Sequence, residues 1–86
     1  AVGGGRVIAP MHGLLLEVMV SPGDKVVKGQ TLAVLEAMKM HYEILAEVDG
    51  TVEEVSAVAG SQVAVDDVLI EIKEKDDSLL LKRTMQ

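Results

Sequence analysis

A lysine flanked by two methionines, in Glu36-Ala37-Met38-Lys39-Met40, is the part of this chain whose residue types could take part in covalent chemistry. A lysine amine is a nucleophile only when neutral, yet a reference pKa of about 10.4 leaves an exposed lysine almost wholly protonated at neutral pH. Methionine side chains are apolar and adaptable, and normally fill gaps in a core. Met38 and Met40 flank Lys39 so closely that the three side chains cannot all be buried together. We therefore expect this segment to be at least partly exposed.

The sequence offers little else for catalysis or metal binding. His12 and His41 are its two histidines, and it has no cysteine, so a thiolate metal site is impossible. No nucleophile elbow and no recognisable calcium-loop pattern is present. His41 follows Met40 and could act as a base for Lys39, but we favour a histidine that faces solvent. We predict no catalytic residue and no metal site.

Composition predicts one small all-β domain. The chain has 86 residues, 49% of them hydrophobic, with Tyr42 as its single aromatic residue, so the core must be aliphatic. Abundant valine favours strands. The net charge of −6 argues against a nucleic-acid partner, and no apolar run approaches the roughly 20 residues of a membrane span. The lack of cysteine fits a reducing compartment.

The chain contains one structural unit written twice. Residues 7–36 align without gaps on residues 44–73, at a constant offset of 37 positions. Two copies are too few for a solenoid, so we predict one barrel or sandwich with a pseudo-twofold axis. The aligned identical pairs are Ala9/Ala46, Gly13/Gly50, Glu17/Glu54, Val18/Val55, Gly23/Gly60, Val26/Val63 and Leu32/Leu69.

Turn residues and apolar spacing divide each copy into short strands. Ser21-Pro22-Gly23-Asp24 predicts a turn with glycine at positive φ, and Lys28-Gly29-Gln30 and its mate Val65-Asp66-Asp67 predict a second. The paired apolar positions Leu15/Val52 and Val18/Val55 are three residues apart, which a strand of period two cannot bury. We therefore expect β-bulges near Leu16-Glu17 and Glu53-Glu54. Gly13 and Gly50 are expected where the backbone needs positive φ or a close approach.

The repeat also sets the domain limits. We assign residues 1–5 to a linker, 6–73 to the domain and 74–86 to a C-terminal tail, either a short docking helix or a frayed end. Residues 37–43 bridge the two copies. A twofold axis that exchanges the copies exchanges this bridge with the place where the chain ends meet. Lys39 should therefore project from the end of the domain opposite the linker.

These motifs together resemble the biotinyl (biotin carboxyl carrier) domain of biotin-dependent carboxylases, over residues 6–73. The resemblance implies a flattened barrel-sandwich of two four-stranded antiparallel sheets with quasi-twofold symmetry, and Lys39 on a hairpin as the site of covalent biotin attachment. It is carried by Val7-Ile8-Ala9-Pro10-Met11-His12-Gly13, Ser21-Pro22-Gly23-Asp24-Lys25-Val26, Gly29-Gln30, Glu36-Ala37-Met38-Lys39-Met40, Glu43-Ile44-Leu45-Ala46 and Asp49-Gly50-Thr51-Val52.

The same resemblance implies a role and partners. A biotin–protein ligase would supply biotinyl-adenylate and recognise Ala37, Met38 and Met40. The domain would be non-catalytic and would carry a carboxyl group, as carboxybiotin, between a biotin carboxylase and a carboxyltransferase. Bacterial acetyl-CoA carboxylase carriers insert a protruding loop in the first half, for which the gap-free repeat has no room. We therefore favour an acyl-CoA carboxylase of the loopless type or pyruvate carboxylase, in the bacterial cytoplasm or mitochondrial matrix.

Three alternatives stay open at this point. Lipoyl domains share the fold and the hairpin lysine, but usually have an acidic residue before that lysine and a small residue after it, where this chain has Met38 and Met40. The chain could also be the carrier of a biotin-dependent decarboxylase or transcarboxylase. An unmodified β-domain that only docks to partners is the third possibility. Glu36 and Glu43 flank the hairpin, and we assign them no role beyond a solvated rim.

Overall fold

The computed structural model describes residues 5–75, which fold into strands and turns without a helix. Gly5 lies within this range, whereas the rest of the predicted linker and the predicted tail beyond Lys75 lie outside the described residues. Among residues 5–75, no helix is long and apolar enough to cross a membrane. The strands in chain order are β1 (Arg6–Ile8), β2 (Gly13–Val18), β3 (Lys25–Val26), β4 (Thr31–Ala37), β5 (Met40–Leu45), β6 (Gly50–Val55), β7 (Gln62–Val63) and β8 (Val68–Glu74).

Two four-stranded antiparallel sheets form the sandwich, which confirms the predicted fold class. Their strand orders are β1-β8-β6-β3 and β5-β4-β2-β7. The offset of the sequence repeat turns the first order into the second, because it carries β1 onto β5, β8 onto β4, β6 onto β2 and β3 onto β7. The pseudo-twofold symmetry expected from the repeat is therefore present in the sheets.

Hydrogen bonds between the two repeats obey the same symmetry. The Gly23 amide donates to the Val52 carbonyl at 2.8 Å, and the equivalent Gly60 amide donates to the Leu15 carbonyl at 2.6 Å. Each repeat therefore donates a turn amide to a strand of the other, and these bonds close the barrel. Three more pairs of amide-to-carbonyl hydrogen bonds are equivalent under the repeat, with N–O distances of 2.8–2.9 Å. They are Val52 N to Asp24 O with Leu15 N to Ser61 O, Gly29 N to Ala46 O with Asp66 N to Ala9 O, and Ala46 N to Gln30 O with Ala9 N to Asp67 O.

The core is aliphatic, and a bulge in each repeat allows it to close. The strand register shifts between Leu15 and Glu17 and again between Val52 and Glu54, which confirms both predicted bulges. The extra residue lets apolar positions three apart face the same interior. The largest fully buried side chains are those of Leu15, Leu32, Leu35, Val52, Leu69 and Ile70, and Val18 and Val55 pack against this core.

The predicted turns are present, and Gly23 and Gly29 take positive φ values of 96° and 90°. Asp24 N donates to the Ser21 carbonyl at 3.0 Å. The second turn begins one residue earlier than predicted, because Gln30 N donates to Val27 O at 3.0 Å. In the equivalent turn, Asp66 has a φ of 72°, a conformation that aspartate tolerates better than most residues do.

Gly13 and Gly50 are needed for close approach, and neither is among the residues with positive φ. A Cβ atom on Gly50 would lie 2.2 Å from the carbonyl oxygen of Lys73, and one on Gly13 would lie 2.5 Å from that of Glu36. Of the two reasons expected for these glycines, the approach of a neighbouring strand is therefore the correct one.

Candidate functional site

The segment around Lys39 forms the tightest hairpin of the fold. Strands β4 and β5 pair up to Ala37 and Met40, so Met38 and Lys39 are the two turn residues. Their φ angles are 51° and 65°. Positive φ at both corners is the type I′ turn, which suits the twist of a hairpin and is usually made by Asn-Gly. Because neither residue here is glycine, each costs about 1–2 kcal/mol of backbone strain.

This turn places its side chains in solvent. Met38 is 80% exposed and Met40 is 58% exposed, so neither flanking methionine is buried in the barrel end, as expected for this segment. Lys39 is also exposed, and no hydrogen bond or salt bridge within residues 5–75 involves its amine. A group joined to Nζ by an amide would therefore fit here without displacing any protein contact.

Ala37 differs from the other residues predicted for ligase recognition. Its side chain is only 7% exposed, and it pairs with Met40 as the last residue of β4. The structure therefore brings Met38 and Met40 to the surface beside Lys39, and leaves Ala37 beneath them. A recognising protein would meet the two thioethers and not the Ala37 methyl group.

The outer face of the hairpin carries two polar cross-strand pairs that the sequence analysis did not assign. His41 Nε2 lies 3.7 Å from a carboxylate oxygen of Glu36, directly opposite it in the register. Thr31 Oγ1 donates to Glu43 Oε1 at 2.6 Å. The His41 pair was accessible from the sequence, because a two-residue turn at Met38 and Lys39 places residues 36 and 41 opposite each other.

The inner face of β5 runs from the core out to the turn. Ile44 is buried, Tyr42 is half-buried and Met40 is mostly exposed, as expected for alternate residues on one face of a strand. The Tyr42 hydroxyl donates to Met40 Sδ at 3.6 Å. This contact was not predicted from the sequence, although a spacing of two residues on a strand could have indicated it.

The hairpin lies at the end of the domain opposite the ends of the described chain. Asp49 is beside the start of β4, since its carboxylate accepts from Lys28 N at 2.7 Å, and its carbonyl accepts from Lys75 N at 2.7 Å. The end of β8 therefore lies where β4 begins, a strand length of roughly 20 Å from the turn. Gly5 lies near the same end of the domain, because its carbonyl oxygen accepts a hydrogen bond from Ile72 N on β8. Relative to Gly5 and Lys75, the ends of the described range, Lys39 therefore lies at the opposite end of the domain, as predicted.

The comparison with protein families matches this architecture. Residues 5–72 match the model of the biotin-requiring enzyme family, which also covers lipoyl attachment domains. The match spans both repeats and the hairpin between them.

Relatives of known identity point to biotin enzymes. The chain is 44% identical over 66 residues to the propionyl-CoA carboxylase alpha chain of Ruegeria pomeroyi, covering 77% of this chain and 10% of the relative. It is 39% identical over 69 residues to mitochondrial pyruvate carboxylase of Mus musculus, covering 80% of this chain and 6% of the relative. It is 47% identical over 64 residues to the biotin carboxyl carrier protein of Streptococcus mutans, covering 74% of this chain and 49% of the relative. The chain thus spans at most about half of these relatives.

A solved structure shows the same fold inside a carboxylase. A single-chain, multi-domain long-chain acyl-CoA carboxylase matches with a TM-score of 0.78 and 26% identity, over 99% of this chain and 8% of that protein. A family match over four-fifths of the sequence, supported by these relatives, is sufficient for assignment. The chain belongs to the biotin-requiring enzyme family as a biotinyl domain, and its cofactor is covalently bound biotin.

Proposed function

We propose that this chain is the carboxyl carrier domain of an acyl-CoA carboxylase or pyruvate carboxylase, with biotin joined to Lys39 Nζ through an amide. The observation that carries the proposal is the placement of Lys39. Its amine stands on an exposed two-residue turn, has no protein partner within residues 5–75, and lies at the end opposite the chain termini of that range. This geometry suits a group presented to other enzymes and provides no pocket for catalysis.

Biotin, when bound, supplies a ring that accepts and releases a carboxyl group, and the chain supplies its delivery. The Lys39 side chain holds the attachment point beyond the turn, and the backbone of the hairpin fixes the direction in which it leaves. Tethering makes each visit to a biotin carboxylase or carboxyltransferase site intramolecular, which raises the effective concentration. The domain itself contributes no catalytic group, and its activity depends on those two partners.

Attachment requires a biotin–protein ligase as a further partner. A ligase must remove a proton from Lys39 before the amine can attack an activated carboxyl group. Met38 and Met40 flank the amine and expose apolar, adaptable surface that the ligase could contact. We propose Met38 and Met40 as the recognition residues.

The wider context follows from the relatives. Carboxylases of this kind include bacterial and mitochondrial enzymes, so we place the chain in the bacterial cytoplasm or mitochondrial matrix. The domain proper is proposed as residues 6–73, following a linker at 1–5 and preceding a tail at 74–86.

The carrier role is tested by transfer of a carboxyl group to the biotinylated chain. Purified chain is incubated with a bacterial biotin carboxylase subunit, ATP and radiolabelled bicarbonate. We expect acid-labile label on the biotinylated wild-type chain, and none on Lys39→Arg, which keeps the charge but cannot be biotinylated. A biotinylated chain that accepts no label would contradict the carrier role.

A lipoyl carrier is the second outcome that the same fold allows. Co-expression with a biotin–protein ligase or with a lipoyl ligase, followed by intact-mass measurement, separates the two. We expect a biotin adduct only. A lipoyl adduct of comparable yield would overturn the proposal in favour of a role with 2-oxoacid dehydrogenases or the glycine cleavage system.

A further inference from the structure

Tyr42 is the single aromatic residue of the chain, and its hydroxyl is used at the hairpin. The hydroxyl donates to Met40 Sδ at 3.6 Å, within range of a hydrogen bond to sulfur. A thioether is a weak acceptor, and phenylalanine would fill the same space without this contact. The hydrogen bond to Met40 is therefore what tyrosine provides at this position and phenylalanine would not.

The position of Tyr42 makes it a link between the core and the turn. It lies opposite buried Leu35 in the register, and shares the inner face of β5 with buried Ile44 on one side and exposed Met40 on the other. The ring is half-buried and the hydroxyl points toward the turn. A side chain anchored in this way loses few conformations when it orients a neighbour.

Met40 needs such an anchor more than most residues do. Methionine has three rotatable bonds, and this one is 58% exposed, so packing alone does not select its conformation. Met38, at 80% exposure, has no comparable contact among the described residues. Of the two methionines beside Lys39, Met40 therefore has a hydrogen-bond partner within residues 5–75 and Met38 does not.

We propose that Tyr42 is a positioning residue for biotin attachment, acting by holding the Met40 thioether in the conformation that a biotin–protein ligase recognises. This inference rests on the proposed function, since it concerns the same lysine and the same ligase. Tyr42 touches neither the amine nor the incoming group. It acts through Met40, and fixing Met40 beforehand lowers the cost of ordering it in the complex.

The test uses the full 86-residue chain and a double-mutant cycle. Tyr42→Phe should lower kcat/KM for biotinylation about threefold, the size expected when one weak hydrogen bond is lost. The loss should fall on KM, because recognition is weakened and the lysine is untouched. Met40→Leu keeps the volume but removes the acceptor, so adding Tyr42→Phe to it should change kcat/KM no further. An equal loss in both backgrounds would overturn the proposal.

A second readout requires no ligase. With ¹³C-methyl-labelled methionine, Tyr42→Phe should move the Met40 methyl resonance and leave those of Met38 and Met19 in place, because within residues 5–75 the hydroxyl donates to Met40 and to neither of these two. An unmoved Met40 resonance would also overturn the proposal. If the wild-type chain is never biotinylated, the proposed function fails, whereas the Met40 shift still shows whether Tyr42 holds the thioether.

Discussion

Two kinds of tight turn occur in this domain, and they differ in the residues at positive φ. Three of the four turns that close the barrel place Gly23, Gly29 and Gly60 there, with φ between 90° and 96°, and the fourth places Asp66 there, with φ 72°. The hairpin turn places Met38 and Lys39 there instead. Glycine adopts this conformation freely, whereas other residues are strained in it. The closing turns therefore favour stability, whereas the hairpin turn keeps the Met38 and Lys39 side chains although both residues are strained at positive φ.

The symmetry sharpens this contrast. Gly23 and Gly60 occupy equivalent positions, and each donates to the strand of the opposite repeat. The position equivalent to Met38 is Lys75, the last residue that the structure describes, and Lys75 is not among the residues with positive φ. The strained turn lies in the bridge between the two repeats, and it carries Lys39.

The largest effect is expected where a glycine permits close packing. Gly50→Ala would place a Cβ atom 2.2 Å from Lys73 O and 2.8 Å from Ile72 Cγ2, so strands β6 and β8 would have to separate. Overpacking of this kind typically costs about 1–3 kcal/mol, and we expect the upper end of this range for the free energy of unfolding. Denaturant titration measures it. Unchanged stability would show that the sheet is looser than described.

A smaller effect is expected at a closing turn. Nothing lies within 4 Å of a Cβ atom added to Gly60, so Gly60→Ala introduces backbone strain at a φ of 91° without a clash. The cost should be about 1–2 kcal/mol. The same titration checks it, with Gly23→Ala as the symmetry-related control. Clearly unequal losses at the two positions would show that the repeats do not carry equivalent strain.

The opposite sign is expected at the hairpin. Met38→Asn replaces a strained residue with one that favours a type I′ turn, and should stabilise the domain by up to about 1 kcal/mol. Biotinylation should nevertheless slow, because a side chain proposed for recognition is lost. Met19→Asn is the matched control, since Met19 is an exposed methionine outside positive φ. A stabilised variant that is biotinylated at the wild-type rate would remove Met38 from the recognition residues.

The smallest effect is expected on the outer face. Glu36→Gln removes the carboxylate opposite His41 while keeping the shape of the side chain. Exposed pairs of this kind contribute about 0.2–1 kcal/mol, and we expect the low end here because both side chains are largely exposed and 3.7 Å apart. Melting temperature and biotinylation rate should both stay close to wild type. A strong loss of biotinylation would give this pair a role that we do not assign to it.

Much of the fold was predictable because the sequence is repeated. Aligned glycines and apolar pairs indicated one barrel or sandwich with a twofold axis, and the family resemblance implied its two four-stranded sheets. The spacing of three between Leu15 and Val18 predicted the bulges that the register shows. For Gly50 the sequence left two reasons open, a positive φ or a close approach, because a sequence does not reveal which strand passes close to a glycine. The twofold relation of the repeats also predicted that Lys39 lies at the end of the domain opposite the linker.

The details of the site were less accessible. Sequence spacing identified Lys39 and its flanking methionines, but not that Ala37 is buried beneath them or that both turn residues are strained. Burial of Ala37 depends on how the barrel end closes, and the contact between Tyr42 and Met40 depends on side-chain conformations. Both are tertiary properties that a single sequence leaves open.

Peptide mapping tests the proposal that Lys39 carries the biotin. The chain is co-expressed with a biotin–protein ligase, digested and sequenced by tandem mass spectrometry, with Lys39→Ala as the control. We predict a single biotin on Lys39, and a folded Lys39→Ala variant that streptavidin does not detect. Biotin on Lys25, Lys28 or Lys73, or labelling that persists in Lys39→Ala, would contradict the account.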